Sequence, residues 1–230
     1  VAGDPAPRGF FAEDRVTAPR VVIAVPLYGH NAPGFVLGFT RLLERVIRDG
    51  VVIGLCPTAI PYIDQARNQL VRDCLEYDPT HIFWLDHDVI APPGAVSRLL
   101  ERDVPVVGGM YHSKDKPFGP VAFYLEPKFD MLQEVPPEAF LHLVGGVGMG
   151  ATLVRASVYR LMAAQYGDEK WYETRINPSV GEDVHFAQRL QEMAIPVFLD
   201  PTVECGHIRD QVVGKRDYLA AKREHQEAGV

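Results

Sequence analysis

Short apolar runs and amphipathic stretches alternate through the first half of the chain. Residues 20–26 are a run of β-branched apolar side chains, Val21, Val22, Ile23 and Val25 among them, which predicts a buried strand. A loop rich in Gly, Asn and Pro follows at 29–34. Residues 35–48 then set Phe35, Leu42, Leu43, Val46 and Ile47 at helical spacing, and Asp49-Gly50 closes that helix. A second strand is expected at 51–55 and a second helix at 60–77, with Ile63, Ala66, Leu70, Val71 and Cys74 along one stripe. A third strand at 81–85 ends at Asp86. Pro92-Pro93 opens a helix at 94–101, since Pro suits a first turn, and a fourth strand is expected at 105–109. This order implies an α/β fold with a mostly parallel central sheet and helices on both faces.

The second half is less regular. Short strands are expected at 121–125 and 141–144, a strand at 150–155, a helix at 156–165, a polar loop at 166–181, a helix at 182–193 and a last strand at 196–199. Residues 1–19 read as a flexible arm and 210–230 as a charged, helix-compatible tail. The main domain is therefore expected over 20–209. No internal repeat or low-complexity tract interrupts it.

Composition narrows the class. Of the 230 residues, 47% are hydrophobic and 23% charged, ample for one ordinary core. The net charge of -7 argues against nonspecific nucleic-acid binding. No apolar run reaches the roughly 20 residues of a membrane span, so no transmembrane segment is expected. The first twenty residues lack the apolar stretch of a signal peptide. Cys56, Cys74 and Cys205 are an odd, widely spaced set that gives no disulfide framework. Cytoplasmic residence is the simplest expectation.

Candidate chemistry centres on Asp86-His87-Asp88, at the end of an apolar strand. Ligands of open α/β sheets bind outside such strand ends. In extended backbone, residues i and i+2 point to one side. Two carboxylates placed so would repel unless a cation lay between them, and hard oxygens suit Mg²⁺ or Mn²⁺. A solvated turn capping the next helix is the alternative. His87, between the two, is expected to point away. Gly181-Glu182-Asp183 opens a helix, where acidic side chains cap free amides. His207 follows a strand and could add a nitrogen ligand at the same sheet edge.

The order of these parts resembles the GT-A class of nucleotide-sugar glycosyltransferases, near the family 2-like group. The matching stretches are 22–26, Ala66-Arg67-Asn68, 83–88 with its Asp-x-Asp (DxD) motif, 148–155, Gly181-Glu182-Asp183 and 205–208. The resemblance implies a single Rossmann-like GT-A domain, with a nucleotide-binding half at about 20–110 and an acceptor half at about 111–209, and a metal-binding hexosyltransferase with a UDP- or GDP-linked donor and an acceptor hydroxyl. It implies that Asp86 and Asp88 hold Mn²⁺ or Mg²⁺ on the donor diphosphate, Asp88 directly and Asp86 nearer the ribose or a metal-bound water. His207 matches a third metal ligand. Pro26, Tyr28, Asp64, Arg67 and Asn68 would line the nucleoside pocket, and Asp183 falls where inverting members carry the catalytic base. The acidic residue that often reads uracil on the second strand has no match at 51–55.

Lys114 and Lys116 lie in a loop where they are phosphate contacts or solvated charges. Trp171 and Tyr172 suit either a sugar platform or the core. Gly145 to Gly150 reads as tight backbone near the substrate or a bent strand. Two other readings compete: a haloacid-dehalogenase-like phosphatase with Asp86 as nucleophile, and a non-catalytic nucleotide-sugar or carbohydrate-binding module.

Overall fold

The apolar run that opens the domain becomes its second strand in space. In the computed structural model, which describes residues 19–27, 32–124, 130–134, 141–167, 169–176, 179–209 and 212–227, β1 (Arg20–Pro26) is followed by α1 (Pro33–Arg48), β2 (Val52–Thr58), α2 (Ile63–Leu75) and β3 (His81–Leu85). Next come β4 (Val89–Ile90), α3 (Ala95–Glu101), β5 (Val106–Met110), β6 (Ala122–Phe123), β7 (His142–Val144), β8 (Gly146–Val147), β9 (Ala151–Arg155) and α4 (Ala156–Tyr166). The chain finishes with β10 (Arg175–Ile176), β11 (Ser179–Val180), α5 (Glu182–Glu192), β12 (Val197–Glu204), β13 (Gly206–Ile208), β14 (Val212–Val213) and α6 (Lys215–Glu227).

Seven strands make the central sheet in the order β2-β1-β3-β9-β5-β12-β7. β1 is parallel to β2 and β3, and β5 to β12; β9 and β7 run against their neighbours. Five strands therefore point one way, as the sequence pattern implied. Strand alternation splits the core between the two faces. Val21, Ile23, Phe83 and Leu85 pack with Phe35, Leu42 and Val46 of α1 and Val96 and Leu99 of α3. Val22, Ala24, Ile82 and Trp84 pack with residues of α2, α4 and α5 on the other side. α4 ends at Gly167, whose φ of 68° is the left-handed stop that glycine allows. Among the described residues no helix is long and apolar enough to cross a membrane.

Several boundaries differ from expectation. β12 continues through Pro201 instead of stopping at Leu199, because Asp200 builds a bulge: its Oδ1 accepts from the Thr202 amide at 3.0 Å and hydroxyl at 2.6 Å. The pairing with β5 slips between Asp200 and Glu204, which is where a strand can hold a proline. The polar loop at 166–181 contains the β10–β11 hairpin. The tail expected to be helical over 210–230 is α6, which starts at Lys215, with Tyr218 and Ala221 buried against Phe118.

Candidate functional site

β3 and β5 end at the same edge of the sheet, and β12 turns back there into β13. The residues just past these ends meet. β13 pairs with β4, setting His207 opposite Val89, one residue beyond Asp88. His207 Nε2 lies 3.8 Å from Asp88 Oδ1. Its Nδ1 is 2.6 Å from the His112 carbonyl. A carbonyl only accepts, so Nδ1 donates to it and Nε2 is the ring nitrogen turned to Asp88. The Lys114 ammonium binds the other oxygen of Asp88. Burial alone raises the Asp88 pKa, but His207 and Lys114 outweigh it and hold the carboxyl well below the usual range.

Asp86 has a different partner. Arg67, projecting from α2, reaches it with both terminal nitrogens at 3.0 and 3.1 Å, and its Nε reaches Glu182 at 3.1 Å. The guanidinium is buried and lies over the Trp84 ring, 5.4 Å from its centroid. Burial opposes its charge, and Asp86 and Glu182 more than offset that. The two aspartates therefore do not turn to one cation. The chain leaves extended geometry at Asp86: the Val89 amide donates back to the Asp86 carbonyl at 2.9 Å, closing a turn. The strand alternation that put both carboxylates on one side does not apply across that turn. Direct metal ligation by Asp86 is thereby opposed, as is its use as a free nucleophile.

Asp183 follows Glu182 in the first turn of α5. Its Oδ1 accepts from the Val184 amide at 2.7 Å. Burial, and then the Glu182 charge, push its pKa up to about 6. The Tyr111 hydroxyl lies within electrostatic reach of both Asp86 and Asp183. It also accepts from the Gly150 amide at 3.1 Å. A Cβ on Gly148 would overlap that hydroxyl, and one on Gly150 would come within 2.9 Å of the ring. The glycines at 148 and 150 thus make the slot in which Tyr111 sits.

No protein-family model matches the chain, and no curated protein does. Among solved structures, A197 from STIV superposes with a TM-score of 0.57 at 17% identity, over 86% of this chain and 91% of that one. A mutant Drosophila beta-galactosyltransferase 7, crystallised with manganese, UDP-Gal and xylobiose, gives 0.46 at 15% identity, over 79% of this chain and 65% of that one. A 4-diphosphocytidyl-2C-methyl-D-erythritol synthase from Anaerococcus prevotii gives 0.45 at 10% identity, over 90% and 96%. With A197, the fold is shared.

On this shared fold the remaining candidates take other places. Asn68 donates to the Tyr172 carbonyl at 2.7 Å and accepts from its amide at 3.0 Å. That reciprocal pair makes it a clamp on the 171–174 segment, not a group turned to a nucleoside. Asp64, half-buried in the first turn of α2, accepts from the Gln65 amide at 2.8 Å and the Thr174 amide at 3.2 Å. Pro26 is buried at the end of β1; Tyr28 lies outside the described residues. Trp171 and Tyr172 are core residues, each 1% exposed, and do not form a sugar platform. Trp84 donates to the Tyr159 hydroxyl at 2.7 Å, which lies 2.8 Å from that of Tyr172. This hydrogen-bonded aromatic layer supports Arg67 from behind. Sequence reasoning did not single out Glu182 as a partner of Arg67, nor Tyr111; the glycines opposite Tyr111 were the available signal.

Among the described residues no three His, Cys, Asp or Glu side chains are set to hold a metal. Asp88 and His207 fit as a two-residue donor set. Hard divalent ions are commonly held by one or two protein ligands, with phosphate and water supplying the rest. The carbonyl bond on Nδ1 is also the outer contact that orients a metal-ligating histidine.

Proposed function

We propose that the protein is a metal-dependent glycosyltransferase of the GT-A type, family 2-like. It would move a hexose from a UDP- or GDP-linked donor to an acceptor hydroxyl. The observation that carries this reading is the Asp88–His207 pair, a carboxylate oxygen and a ring nitrogen facing each other at the sheet edge, with His207 fixed from behind. The order of strands and the placement of Asp183 add to it.

Asp88 and His207 would hold Mn²⁺ or Mg²⁺. When bound, that cation offsets charge building on the departing diphosphate without needing a proton donor. Asp86, fixed by Arg67, would face the ribose or a metal-bound water rather than bind the ion. Pro26, Tyr28 and Asp64 remain the proposed nucleoside side of the pocket. Asp183 would take the proton of the acceptor hydroxyl; a carboxylate with a pKa near 6 is a better proton acceptor than an ordinary one, yet still ionised at neutral pH. Arg67 would position both ends of the site, through Asp86 and through Glu182.

A thermal-shift screen of nucleotide sugars tests the class and fixes the donor together. UDP- or GDP-sugars should raise the Tm only with Mn²⁺ or Mg²⁺ present. Equal stabilisation in excess chelator would remove the metal from the account.

A further inference from the structure

From the geometry at Asp88 we infer that Lys114 is a second cation for the donor diphosphate, contacting phosphate oxygens beside the metal. The inference rests on the glycosyltransferase reading and specifies how its leaving group is held.

Asp88 has two oxygens with different neighbours. Oδ1 faces His207 Nε2; Oδ2 holds the Lys114 ammonium. A divalent cation on Oδ1 and His207 therefore leaves the ammonium alongside it, on the same carboxylate. An ammonium has three donors. One on Asp88 leaves two for phosphate oxygens. Both side chains are partly open to solvent, 34% for Lys114 and 27% for Asp88, so a ligand can reach them.

Charge balance favours the same arrangement. A sugar-nucleotide diphosphate carries two negative charges. A divalent cation with Asp88 alone opposes them with a single net positive charge. Lys114 restores the second. When the bond from the sugar anomeric carbon to the diphosphate oxygen breaks, its electron pair stays on that oxygen and adds a third negative charge. An ammonium already in place meets that charge without rearrangement.

The loop carrying Lys114 is built to keep it there. The Ser113 amide donates to the Gly119 carbonyl and the Phe118 amide to the Asp115 carbonyl, both at 2.8 Å. Arg209 donates to the Lys114 carbonyl at 2.6 Å. His112, at the loop's root, stacks on Tyr218 of α6 with ring centroids 5.1 Å apart, and its carbonyl fixes His207. One short segment thus orients the histidine and delivers the lysine, with α6 behind it.

The test measures binding of Mn²⁺ alone, then of UDP and GDP at saturating Mn²⁺, by calorimetry on wild type, Lys114→Met and Lys114→Arg. Lys114→Met should weaken the nucleoside diphosphate that wild type prefers by about tenfold or more, the loss of a charge-assisted contact. Its Mn²⁺ affinity should be equal or tighter, because the competing ammonium is gone. Lys114→Arg should recover most of the nucleotide affinity. Unchanged nucleotide affinity in Lys114→Met overturns the inference and leaves the proposed function standing. Parallel loss of Mn²⁺ affinity also overturns it, since Lys114 would then act only by holding the loop and Asp88. If wild type binds neither nucleotide with Mn²⁺, the underlying reading fails, and this inference with it.

Discussion

Arg67 and Asp86 form a two-point ion pair, 3.0 and 3.1 Å, across the gap between α2 and the end of β3. The same guanidinium reaches Glu182, beside the proposed base. One buried side chain therefore ties the donor end of the site to the acceptor end. It also explains how two aspartates two residues apart coexist without repelling: each has its own cation, Arg67 for Asp86 and Lys114 for Asp88.

Removing Arg67 leaves two carboxylates in a half-buried site with no counter-charge. Arg67→Met should cost about 3–5 kcal/mol of stability, the range for breaking a buried pair from one side, measured by urea denaturation. Arg67→Lys should recover little, because an ammonium cannot reach both carboxylates with a planar fork. A loss under about 1 kcal/mol in Arg67→Met would mean that the pair is solvated.

Asp183 gives a pH signature with a definite sign. Its folded pKa, near 6, lies above the ordinary carboxylate value of 3.8. The native state binds this proton more tightly than the unfolded chain, so the contribution is full below about pH 4 and is lost as pH rises through 6. Asp183→Asn has no such loss. The Tm difference, variant minus wild type, should grow between pH 4 and 6 and then level off. A difference independent of pH would place Asp183 in an ordinary solvated setting.

The same group should shape activity. Transfer by the wild type should fall below pH 6 as the proposed base takes up a proton. Asp183→Asn should bind donor with near-normal affinity and lose transfer by at least about 100-fold, the lower range for a general base. Unchanged turnover would exclude Asp183 from that role.

Tyr159 anchors the layer behind Arg67. Tyr159→Phe removes the acceptor of the Trp84 indole N–H and the partner of the Tyr172 hydroxyl, both fully buried. The expected cost is about 1–3 kcal/mol, for polar groups left unpaired, read from thermal or urea denaturation. A neutral result would indicate that water enters this layer.

Gly148 is a steric test of the Tyr111 slot. A Cβ there would overlap the Tyr111 hydroxyl and lie 2.6 Å from Val121 Cγ1. Gly148→Ala should destabilise by about 1–3 kcal/mol through overpacking. Adding Tyr111→Ala should relieve part of that cost. Strict additivity of the two changes would show that they do not touch.

The parallel core was legible because its strands are short, wholly apolar runs: Val21 to Val25 and Ile82 to Leu85 need no tertiary information to be read as buried. The candidate site was legible as a neighbourhood. Asp86, Asp88, Asp183 and His207 follow or open elements whose ends share one edge of the sheet. Their individual bonds were not legible. Asp86 was assigned with Asp88 by strand alternation, but the turn back to Val89 breaks that alternation. Arg67 and Asn68 were read as one motif, yet one residue of helix rotation sends Arg67 to Asp86 and Asn68 to the backbone of Tyr172. Trp171 and Tyr172 lie in a polar stretch, and contacts distant in sequence, with Tyr159, Trp84, Phe186 and Asn68, draw them into the core. The continuation of β12 past Pro201 depends on the side chain of Asp200, which composition alone does not reveal.

The central claim is that Asp88 and His207 hold a divalent cation that in turn holds a nucleoside diphosphate. Calorimetry with Mn²⁺ and then UDP or GDP, on wild type, Asp88→Ala and His207→Ala, tests it most directly. The account predicts that wild type binds Mn²⁺ weakly alone and markedly more tightly with nucleotide, and that Asp88→Ala abolishes this linkage while His207→Ala reduces it. Nucleotide binding that is equal with Mn²⁺ and with excess chelator, or that survives Asp88→Ala unchanged, would contradict it.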